Sequence, residues 1–181
     1  TERILKNHKQ ELKNDRRKET LCLRQVSRTV AMEKSAWFHL ANNCCMSMLY
    51  NLRRINEVCK EHVENNFRTL PERYITESET ISAKVGELFE GTCGMIAGES
   101  LESVDLLRMR CDRIKDMISE SYHRLYSNLH EGDPEAMSVL YVYMNVLQET
   151  QEMVSSMRKY LRAFAKLKDS AYSGRAKAKI S

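Results

Sequence analysis

Three stretches without glycine or proline dominate this sequence: residues 1–70, 99–131 and 135–173. Either residue weakens or breaks a helix interior, so their absence permits helices well beyond the usual globular length. The few that occur act as punctuation. Pro71 marks one turn, Gly91, Gly94 and Gly98 cluster near a second, and Gly132-Asp133-Pro134 is a stop-and-restart signal.

Between these marks the apolar residues recur every three or four positions. Met137, Leu140, Met144, Leu147, Gln151, Val154, Met157, Leu161 and Phe164 predict a fifth helix over residues 135–168. Val104, Leu107, Cys111, Ile114, Ile118, Leu125 and Leu129 predict a fourth. A shorter third helix carries Ile81, Val85, Leu88 and Ile96. The second, over residues 33–66, turns Trp37, Leu40, Cys44, Met48, Leu52, Ile55 and Cys59 inward, and the first covers residues 2–30. A helix of ~30 residues extends ~45 Å and buries its stripe by packing side by side with others. The expected fold is therefore all-α, an elongated antiparallel bundle of about five long helices. It spans residues 1–169 as two hairpin units, about 1–98 and 99–169, with a basic, disordered tail over 170–181.

With 42% hydrophobic and 30% charged residues, the chain has an ordinary globular composition. The 29 basic and 25 acidic side chains look interspersed along it, and their balance of +4 is too mild to argue for nucleic acid. Six cysteines show no C-x-x-C spacing and fall within helical patterns, which predicts free thiols in a reducing compartment. No signal peptide is visible and no apolar run approaches the ~20 residues that span a bilayer. A start at Thr1 suggests a fragment or a processed product.

Several constellations invite chemistry and yield to simpler readings. On the first helix Lys6, Lys9, Lys13, Arg16 and Arg17 share a face, with Glu11, Asp15 and Glu19 roughly opposite. Such a face suits phosphate or anionic lipid, but a solvated surface is the simpler account. Glu120 and His123 have the Glu-x-x-His spacing of di-metal bundles, yet no second copy exists. Cys59 and His62 stand one turn apart without two further ligands at the same level. Tyr122, Tyr126, Tyr141 and Tyr143 gather near the Gly132 turn, as residues capping a bundle end do. Gly91-x-x-Gly94 lacks the lysine of a phosphate-binding loop, and no nucleophile–base arrangement is visible. Catalytic residues: none. Cofactors: none.

Leu52-Arg53-Arg54-Ile55-Asn56-Glu57, set on the inner face of the second helix, resembles the PhoU family signature, which reads roughly L-E-R-I-G-D. Leu147-Gln148-Glu149-Thr150-Gln151-Glu152 resembles the same pattern on the fifth helix. Glu61-His62-Val63-Glu64-Asn65-Asn66-Phe67 is similar to the E-H-V-D-N-N-H stretch in the PhoU-like cytosolic tails of bacterial sodium-phosphate cotransporters. In PhoU proteins the two acids of the signature help to hold metal clusters. Here Arg53 and Gln148 replace the first acid, and Glu57 and Glu152 are the remaining metal candidates. A guanidinium offers a metal no lone pair, so the expected arrangement is an ion pair of Arg53 with Glu57 or Glu152 and no bound metal.

The resemblance implies a non-enzymatic regulatory or structural domain of a sodium-dependent phosphate cotransporter, on the cytoplasmic side of the inner membrane. Its partner would be the membrane domain of the same chain, or a second copy in a homodimer, with neither nucleic acid nor a small-molecule substrate involved. Two alternatives stand beside it. One is a free-standing PhoU-like phosphate-signalling regulator; the other is an adaptor whose basic face binds a membrane surface or nucleic acid.

Overall fold

A computed structural model describes residues 2–23, 28–65, 69–98, 103–127 and 134–178. They form five helices packed as a bundle: α1 (Glu2–Leu23), α2 (Arg28–Glu64), α3 (Glu72–Ala97), α4 (Val104–Ser127) and α5 (Pro134–Ala178). No strand occurs among the described residues. The chain is all-α, as its punctuation requires.

The ends of the helices follow local chemistry. Pro71 precedes α3 with its carbonyl accepting from Tyr74 N at 2.9 Å. Gly98 closes α3 in the left-handed region at φ 77°, where a side chain would be strained. Ser103 caps α4, its Oγ accepting from Leu106 N at 3.1 Å. Pro134 opens α5 at the position where a missing N–H costs nothing.

The chain divides into two compact units. Unit 1 holds residues 1–49 and 156–181, and unit 2 holds residues 50–155. Unit 1 thus comprises α1, the first part of α2 and the last part of α5. Its buried apolar residues include Ala41, Cys44 and Met48 of α2 and Met157, Leu161 and Ala163 of α5. Unit 2 comprises the rest of α2, α3, α4 and the first part of α5. Leu88, Leu107, Cys111, Ile118, Leu125, Leu147 and Val154 are fully enclosed there. Within it α3 packs on α4.

The division differs from the expected hairpins of residues 1–98 and 99–169, because unit 1 draws on both ends of the chain. Other boundaries differ too. Val30 lies in α2, since no glycine or proline marks the junction between the first two helices. The third helix, expected to be short, runs 26 residues and is longer than α4. It passes through Gly86, Gly91 and Gly94; each costs ~1 kcal/mol relative to alanine, and burial of Leu88, Thr92 and Met95 offsets this. At the other end α5 continues through residues 170–178, where the sequence alone predicts a disordered tail. Leu129, Asn66 and Phe67 lie outside the described residues.

The stripes shift at their polar members. On α2 the inward line is Ala41, Cys44, Met48 and Asn51, so Leu52 is 38% exposed and Cys59 is exposed. On α3 Met95 is buried and Ile96 faces out. On α5 Tyr143 is buried and Met137 is exposed. A hydropathy count steps over a buried asparagine or tyrosine and lands on the apolar neighbour.

Candidate functional site: polar nodes between helices

The two stretches that carry the resemblance meet in unit 2. Asn51, only 3% exposed, donates from Nδ2 to Glu149 Oε2 at 2.8 Å and to Glu152 Oε2 at 3.3 Å. Arg54 Nε lies 3.6 Å from Glu149 Oε1, and its Nη1 lies 3.8 Å from Glu57 Oε2. Later residues on α2 thus meet earlier ones on α5, which makes these segments antiparallel. Glu149 is 13% exposed at its side chain, so the amide and guanidinium offset much of its desolvation.

The residues singled out from the sequence sit further out. Arg53 Nε reaches Glu57 Oε1 at 2.7 Å, one turn along the same helix. Their side chains are 53% and 41% exposed, and Glu152 is exposed as well. The expected buried stripe beneath Arg53 is therefore corrected: the residue facing inward is Asn51. The polar residue that interrupts the apolar spacing was the available signal, and Glu149 opposite it was readable only once α2 and α5 were known to pack together.

These residues do not fit a metal. Arg53 and Arg54 present fixed cations to Glu57, and Glu149 is shared between Arg54 and Asn51. Among the described residues, no three His, Cys, Asp or Glu side chains gather as a possible ligand set. Glu120 lies 3.7 Å from Arg124, and both it and His123 are exposed. Cys44, Cys45, Cys59, Cys93 and Cys111 all carry free thiols. Burial, followed by the neighbouring Cys44, pushes the Cys45 thiol up to about 11.

A second node joins three helices of unit 2; of its members the sequence singled out Tyr143 alone, as a residue capping a bundle end. Glu77 of α3 accepts from the Tyr143 hydroxyl of α5 at 2.5 Å and from Arg124 of α4. Tyr143 is 1% exposed, and its ring centroid lies 4.7 Å from that of Tyr74. Arg73 covers the outer face of the pair, 4.6 Å from the Tyr74 centroid. Burial pushes the Glu77 carboxyl up. Hydrogen bonds from Tyr143, Arg124 and Ser121 outweigh it and hold the carboxyl below its ordinary range. Burial and the adjacent carboxylate push the Tyr143 hydroxyl up. An ionised acceptor and a firmly protonated donor make a stable latch.

Beside this node a groove of about 350 Å³ lies between α4 and α5. Three tyrosines (Tyr122, Tyr126, Tyr141) and the amides of Asn145, Gln148 and Gln151 line it without a charged side chain. The Tyr122 hydroxyl donates to the Met144 carbonyl at 3.1 Å. Of the four tyrosines, Tyr143 alone is sealed in the core, while Tyr126 and Tyr141 are 57% and 68% exposed. The geometry of both nodes supplies helix-to-helix complementarity.

No protein-family model, curated protein or solved structure matches this chain. Among the described residues, no helix is long and apolar enough to cross a membrane.

Proposed function

We propose that the chain is a non-enzymatic, PhoU-like regulatory domain acting on the cytosolic side of a sodium-dependent phosphate cotransporter, through protein contacts and without a bound metal. The observation that carries this is the pairing of Leu52–Glu57 with Leu147–Glu152. Two stretches that resemble one family signature lie side by side, as repeats of one motif would. Their acids are held by Asn51, Arg53 and Arg54. A polar seam of that kind specifies which helices pack and in what register. The similarity of Glu61–Phe67 to cotransporter tails supplies the transporter context.

The direct test is deletion of residues 1–181 from the full cotransporter chain. Sodium-dependent phosphate uptake should persist while its response to external phosphate changes. Complete loss of uptake, with the membrane part still folded, would make the domain part of the transport machinery instead. Reading the open frame upstream of Thr1 is the quickest check. Transmembrane segments must be encoded there; an initiator methionine directly upstream would favour the free-standing regulator.

A further inference from the structure

Charge counted along the chain looks mixed, but charge counted by unit does not. Residues 1–49 and 156–181, which form unit 1, contain 18 Lys and Arg against 6 Asp and Glu, a net +12. Residues 50–155 contain 11 against 19, a net −8, and the two together give the +4 of the whole chain.

Among the described residues, much of the excess is presented outward. On α1 the exposed Arg3, Lys6, Lys9, Lys13 and Arg17 recur at spacings of three and four residues, which puts them on one arc of the helix. On α5 the exposed Lys159, Arg162 and Lys166 repeat that spacing. None of these side chains is held by a carboxylate among the described residues. Unit 2 handles its cations differently: Arg53, Arg54, Lys60, Lys84, Arg108 and Arg124 each lie within 4.0 Å of one. So large an uncompensated charge opposes compactness, and an external anionic surface relieves it.

The transporter context favours a membrane over nucleic acid as that surface. We propose that unit 1 docks on the anionic headgroups of a membrane leaflet, with the basic arcs of α1 and α5 as its electrostatic contacts. Unit 2, with its net negative charge, is repelled by the same surface. The choice of a membrane rests on the transporter reading above, and it adds the face through which the domain would meet the bilayer.

The test is co-sedimentation of the full chain with phosphatidylcholine vesicles, with and without phosphatidylglycerol. Binding is expected only with the anionic lipid. It should vanish between ~0.1 and ~1 M NaCl, as the screening length falls from about 10 to about 3 Å. K6Q/K9Q/K13Q should weaken it on the order of a hundredfold, roughly fivefold per side chain. K84Q in unit 2 should leave it unchanged, with circular dichroism checking that each variant folds. Equal binding to both vesicle types, or an undiminished K6Q/K9Q/K13Q variant, would overturn the proposal. So would tighter binding to duplex DNA at the same salt. Transport plays no part in this assay. Vesicle binding with unaltered uptake regulation would therefore count against the transporter reading alone, and altered regulation without vesicle binding against the docking surface alone.

Discussion

Unit 1 and unit 2 share two of their helices, yet they treat charge in opposite ways. In unit 2 the cations are spent internally: Arg54 reaches Glu149 from α2 to α5, and Arg124 reaches Glu77 from α4 to α3. In unit 1 His8 pairs with Glu11, one turn apart on a single exposed helix. Both units bury apolar stripes by the same rule. The difference lies in what the polar residues are for. Where they join helices they fix partners and register, and where they face water they are available to something else.

The largest effect expected in breaking this comparison is at Tyr143. Tyr143→Ala should cost about 3–5 kcal/mol in urea unfolding, because it empties a fully enclosed site and removes the Tyr74 stack. Tyr143→Phe keeps the ring and should still cost about 1–3 kcal/mol, since Glu77 loses a donor. A neutral Tyr143→Phe would mean that Arg124 and water satisfy Glu77 unaided.

Next comes the seam. Asn51→Ala should destabilise by about 1–3 kcal/mol through the lost hydrogen bonds to Glu149 and Glu152. Combining it with Glu149→Gln should cost less than the two single changes added together. Strict additivity in that double-mutant cycle would remove the seam from the list of specifying interactions.

Acid sharpens the contrast. The folded Glu77 carboxyl is held below its ordinary value of 4.5, so its stabilising contribution is complete above that value. It should fade as pH drops through the lower, folded value. Glu77→Gln should flatten this part of the urea-midpoint profile, whereas Glu11→Gln, on an exposed helix of unit 1, should leave it as it is. Identical profiles for both variants would dissociate acid sensitivity from the latch.

The smallest effect expected is at Arg53. Its pair with Glu57 is about half exposed and lies within one helix, so Arg53→Ala should cost only ~0.2–0.5 kcal/mol. A loss above ~1 kcal/mol would show that Arg53 works across helices, as the buried placement inferred from the sequence required.

How much was legible follows from the range over which each signal acts. Pro71, Pro134 and Gly98 act on their own backbone, and each stands where a helix begins or ends. The α4 stripe of Leu107, Cys111, Ile114, Ile118 and Leu125 was readable because every member is apolar; only Ser121, bonded to the Met117 carbonyl at 3.0 Å, was missing from it. Asn51 was missed, and Tyr143 was left off the α5 stripe, for the same reason as Ser121. A polar atom scores as surface until its partner is known, and those partners lie 98 and 66 residues away.

The sequence by itself determined that this chain is helical, roughly where its helices turn, and that most of its apolar side chains lie along stripes. Those properties depend on neighbours within a turn or two. Only the tertiary structure decided which helices share a unit, and with that everything that depends on distant pairs. Glu77 gained Tyr143 and Arg124, Asn51 gained Glu149, and a nearly balanced charge separated into +12 and −8. Coulomb and hydrogen-bond energies depend on separation in space, and a linear chain carries that quantity only after it has folded.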